Sequence, residues 1–113
     1  MEYSVDKGFP TSKIFSFDKI VEVAAGAVVS KTIIKKSAGT VTLFAFDKNE
    51  GLSEHSAPFD ALINIVEGSA VVTIGGEPYT LNAGESIIMP ANIPHAVKAL
   101  EAFKMLLIMI KQV

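Results

Sequence analysis

The apolar positions of this chain fall in short runs, each closed by glycine, proline, asparagine or aspartate at intervals of roughly ten residues. That is the punctuation of strands, and no window repeats its apolar residues with a helical period. Val28 to Lys35 reads as a strand, Ser37-Ala38-Gly39 as a turn, and Thr40 to Phe46 as a strand with clear alternation. Asp47 to Gly51 reads as a loop, and Phe59 to Val66 extends again. The pair Gly75-Gly76, set between Ala70–Ile74 and Pro78–Leu81, is a two-residue hairpin signal. After the turn Asn82-Ala83-Gly84 come a short buried strand, Ser86 to Met89, and a final pair, Val97 to Leu100 and Phe103 to Ile110. The pattern predicts an all-β fold, an antiparallel sandwich or barrel.

Ahead of these strands, residues 1–23 read as an N-terminal arm: polar and Gly/Pro-marked to Lys13, then a short strand or turn at Ile14–Phe17. Asp18 to Glu22 continue as a helical turn or extended chain, and residues 24–113 form one domain. Half the residues are apolar, more than a surface of this size hides alone, so a homodimer is expected. Ile33-Ile34, Val41 to Phe46 and Leu106 to Ile110 are the strands with apolar area to spare.

No cysteine is present, which excludes a disulfide framework and a thiolate zinc site and fits a reducing compartment. The first residues lack the apolar core of a signal peptide, and no apolar run approaches membrane-spanning length. The expectation is a cytoplasmic protein with no membrane partner. The net charge is −2, and all ten basic residues are lysines. Nucleic-acid binding and planar capture of phosphates or dicarboxylates both favour arginine. A small neutral or weakly polar ligand is the easier fit.

Candidate chemistry rests on the two histidines, His55 and His95. Each stands in a punctuated segment, GLSEHSAPFD running on to Gly68, and GESIIMPANIPHA from Gly84. Imidazole binds metals and moves protons near neutral pH. These segments resemble the paired motifs of the cupin family, antiparallel jelly-roll β-barrels that often hold a metal. The first motif is similar to H-x-H-x(3–4)-E-x(6)-G, with His55 first, Ala57 at the second histidine, Ala61 at the glutamate and Gly68 at the glycine. The second is similar to G-x(5)-P-x-G-x(2)-H-x(3)-N. Gly84, Pro90 and His95 match it, Asn92 stands at the internal glycine and Ala99 at the asparagine. Asparagine reaches positive φ more readily than most residues. The resemblance spans about residues 24–112 and places the chain with the small single-domain "cupin 2" proteins.

Three functions follow from that resemblance. The first is a binding barrel, its pocket lined by His55, His95, Ala57, Ala61 and Met105, that takes a small neutral molecule. The second is a metal-dependent enzyme of dioxygenase or isomerase type. Such a site normally uses three histidines and a glutamate, and here two of those positions are alanine. His55 and His95 would hold a divalent ion (zinc, manganese, iron or nickel) weakly, with Asp60, Glu54 or water completing the shell. Strand alternation turns Asp60 away from Ala61 and Glu54 away from His55, unless a bulge rotates them. Met105 and Met109 line the barrel in this reading, and thioethers suit softer ions such as Cu(I). The third is metal-free acid/base catalysis, with His55 or His95 shuttling a proton. Ser53 or Ser56 with His95 and Asp60 would make a nucleophilic triad only if all converged. The run Phe103 to Ile110 reads as core or dimer face.

Overall fold

The computed structural model describes residues 8–111, so residues 1–7 of the expected arm lie outside the described ones. Among the described residues nine strands follow in order: β1 (Val28–Lys36), β2 (Gly39–Phe46), β3 (Gly51–His55), β4 (Phe59–Glu67), β5 (Ser69–Ile74), β6 (Glu77–Asn82), β7 (Ser86–Met89), β8 (His95–Ala99) and β9 (Phe103–Lys111). One sheet has five strands in the order β1-β2-β9-β4-β7, the other four in the order β3-β8-β5-β6. Every pairing is antiparallel. The fold is the all-β jelly-roll sandwich that the punctuation predicts.

Alternation explains what each strand buries. Along β4, Ala61, Ile63 and Ile65 turn inward and are buried, while Asp60, Leu62 and Asn64 between them are not. β2 and β9 are apolar on both faces because both faces are covered. Their inward set, Phe46, Phe103, Met105 and Leu107, joins the core between the sheets. Their outward set, Leu43, Ala45 and Leu106, packs under Ile20, Val21 and Val23 of the segment before β1. Lys104 fastens that cover: its Nζ donates to the Asp18 carbonyl at 2.6 Å and lies 3.8 Å from Glu67. The barrel is plugged at one end by Phe46 stacked on Phe103, centroids 4.5 Å apart. The hollow part is therefore at the other end.

Several boundaries differ from the sequence reading. Gly51–His55 is a strand where the chain reads as loop and connection, because its polar outward side chains hide the alternation. Ser86–Met89 is only half buried: β7 is a sheet edge whose outer face is bare, leaving Ile88 62% exposed. Residues 14–22 form neither strand nor helix; a turn closes from Lys19 N–H to the Ser16 carbonyl. Gly75 and Gly76 do turn a hairpin, both at positive φ, joining β5 to β6.

Candidate functional site

The two histidines meet because of register. His55 on β3 and His95 on β8 are direct partners across an antiparallel pair, so their side chains leave the same face of the sheet. Their rings stand 4.5 Å apart, centroid to centroid, in an edge-to-face arrangement of 70°. Each ring is aimed by the backbone two residues before it. His55 Nδ1 lies 2.8 Å from the Ser53 carbonyl, and His95 Nδ1 lies 3.2 Å from the Ile93 carbonyl. A carbonyl only accepts, so each Nδ1–H donates, and in a neutral ring so held the lone pair is on Nε2. His95 is buried, and burial pushes its pKa below the ordinary imidazole value. Its bond to Ile93 pulls the other way, and the neighbouring His55 lowers it further. His95 is therefore neutral at neutral pH.

The loop before His95 is held to the first motif. Asn92 takes φ +67°, the left-handed conformation its motif position demands, and its N–H donates to the Ala57 carbonyl at 2.7 Å. The Ala91 N–H donates to Asp60 Oδ1 at 2.9 Å. Asp60 is thus a loop anchor on the outside of β4. Glu54, next to His55 along β3, is exposed and does not face the rings. Neither carboxylate completes a ligand set, and among the described residues no three of His, Cys, Asp or Glu group where a metal could sit. Ser53 and Ser56 are exposed, and with Asp60 committed to the loop no nucleophilic triad forms.

Facing the rings is the inner surface of the five-stranded sheet. Ala61 lies in the middle of it, paired with Met89 on β7 and Met109 on β9. Between the sheets is a cavity of about 40 Å³, room for an ion or a few water-sized groups. The expected residues His55, His95, Ala57, Ala61, Met105 and Met109 all line it. Met89 and Leu52 line it too and were not singled out from the sequence; the signal for Met89 was its pairing with Ala61, which only register reveals. A larger hollow between residues 8–11 and β1 is an open gap remote from the imidazoles.

The three-histidine, one-glutamate centre that the motif resemblance implies does not fit these residues. Alanine at 57 and at 61 leaves two nitrogen donors and no carboxylate. What remains is a small apolar cavity with two imidazole acceptors on one wall.

A family model described as a cupin domain matches residues 42–111, more than half of the chain. The chain belongs to the cupin family. Solved cupins and related barrels agree with that placement. A conserved protein of unknown function from Streptococcus pyogenes is 34% identical and superposes with a TM-score of 0.90, over 98% of this chain and 97% of that one. A cupin 2 conserved barrel domain protein from Leptotrichia buccalis is 42% identical, with a TM-score of 0.83 over 86% of this cupin; the match spans 47% of that longer chain. A cupin superfamily protein from Desulfitobacterium hafniense is 26% identical, with a TM-score of 0.87 over 94% of this chain and 97% of that one. No curated protein matches this cupin in sequence. No helix among the described residues is long and apolar enough to cross a membrane.

Proposed function

We propose that this cupin is a binding barrel, working in the cytoplasm, that holds one small neutral or weakly polar molecule against His55 and His95. The observation that carries this is the pair of imidazoles, each with its Nδ1 on a backbone carbonyl, that line an otherwise apolar cavity. Such a wall accepts two hydrogen bonds from a ligand bearing N–H or O–H groups, and its apolar remainder takes a short hydrocarbon part. Among the described residues no lysine lines the cavity, so none of them offsets the desolvation of an anion there.

Long-range nitrogen–proton spectra of the labelled protein test this reading, using a panel of small amides, diols and neutral heterocycles. At least one member should move the Nε2 resonances, and His55→Ala or His95→Ala should weaken it at least tenfold. A panel that leaves both resonances in place, or binding indifferent to both substitutions, refutes it.

We also propose a two-fold homodimer through the outer face of the five-stranded sheet. Ile34, Val41, Ile108, Leu62 and Ile88 lie in one row across all of its strands, each the register partner of the next. Ile34 is 50% exposed and Ile88 62%. Val41 and Ile108 between them are partly buried, and an apolar row with two bare ends can pair with a second copy about a two-fold axis.

A further inference from the structure

We infer that the cavity is also a site for a soft monovalent metal ion, Cu(I) or its redox-inert counterpart Ag(I), held by Nε2 of His55 and His95 and the Sδ atoms of Met89 and Met109. Every methionine of the chain after Met1 lines this one cavity. Two of them flank Ala61, one from each neighbouring strand, on the wall that faces the imidazoles. Where the family pattern has glutamate, this sheet therefore offers a small residue between two thioethers. Met89 is 3% exposed, so its sulfur faces the interior and not solvent.

The donor chemistry selects the ion. Thioether is a soft ligand that favours Cu(I) and imidazole also suits copper, whereas manganese, calcium and magnesium favour oxygen. Charge points the same way. The cost of transferring an ion from water into an apolar cavity grows with the square of its charge, so a divalent ion costs about four times what a monovalent one does. Among the described residues no carboxylate lines the cavity, so none of them offsets the second charge. A cavity of about 40 Å³ suits a bare ion with protein donors on both sides. The inference rests on the ring orientation used above, but does not require that an organic molecule binds.

Anaerobic titration of the full chain with Cu(I) against a competing chromophoric chelator, with Ag(I) calorimetry in parallel, tests it. One ion per chain should bind, and X-ray absorption should show sulfur as well as nitrogen in the shell. Met89→Leu with Met109→Leu conserves volume and keeps the barrel packed while removing both sulfurs. It should weaken Cu(I) at least tenfold with the thermal midpoint held within a few degrees. Failure of the chain to compete for Cu(I), a nitrogen-only shell, or equal affinity in the leucine variant overturns the proposal. If Cu(I) fails while neutral ligands still move the Nε2 resonances, the small-molecule barrel stands and the ion site falls. Cu(I) bound through sulfur, with no neutral ligand moving those resonances, leaves the ion site standing alone.

Discussion

Rebuilding the absent half of the motif provides a quantitative test of why this barrel should not be a tight divalent-metal site. The substitutions Ala57→His and Ala61→Glu place a third imidazole and a carboxylate around the cavity that already holds His55 and His95. Ala61 is 5% exposed and hemmed by Met89 and Met109, so the new carboxylate is cut off from water in the metal-free protein. A desolvated acid in such a place costs about 2–4 kcal/mol even after it takes up a proton. For a domain of this size each kcal/mol moves the thermal midpoint by roughly 4–8 °C, so the metal-free variant should melt roughly 8–32 °C lower. A divalent ion then supplies the missing charge. At about a thousandfold excess over its dissociation constant it returns roughly 4 kcal/mol, enough to restore the wild-type midpoint. Thermal unfolding followed by circular dichroism, with and without manganese, nickel or zinc, reads both effects. The wild-type midpoint should stay within a degree or two in the same solutions. A wild-type protein stabilised by divalent metal as strongly as the variant would show that two imidazoles suffice, and the reasoning from the two alanines would be wrong.

Three further outcomes are expected. His95 has a pKa below its unfolded value of 6.5, so the stability it carries is complete above that value and is lost as pH falls through the lowered one. Denaturant midpoints measured from pH 8 to pH 5 should drop on the acid side, and His95→Gln should flatten that limb. Phe46→Ala removes a fully buried ring stacked on Phe103 and should cost about 3–5 kcal/mol in urea unfolding. Ile108→Lys puts a charge in the middle of the outer apolar row and should turn a dimer into a monomer by light scattering, with the circular dichroism spectrum unchanged.

Where a strand's two faces meet different surroundings, the residues announced it. The alternation of β4 and the diglycine turn were legible because burial on one face and positive φ each leave a compositional mark. Asn92 was legible for the same reason: few residues tolerate φ +67°. β3 was not, because Ser53 and Glu54 are exposed and its pairing slips between Leu52 and His55. The cavity location could be read from the histidines, and the outward direction of Asp60 from its step next to Ala61. The contribution of Met89 could not. It depends on which residue of β4 stands beside it, and the hydrogen bonds that decide this join segments 28 positions apart in the chain.

The two imidazoles differ in how firmly the chain grips them. His95 opens β8, which has a strand on either side, while His55 ends β3, which lies at the margin of its sheet and pairs with β8 alone. Marginal strands detach at a lower free-energy cost than central ones. One half of the imidazole wall is thus held on both sides and the other half on one side only. The residence time of any occupant becomes a property of β3 fraying, separable from the affinity the donors confer. Amide exchange at Leu52 to His55 would track how fast the barrel loads and unloads.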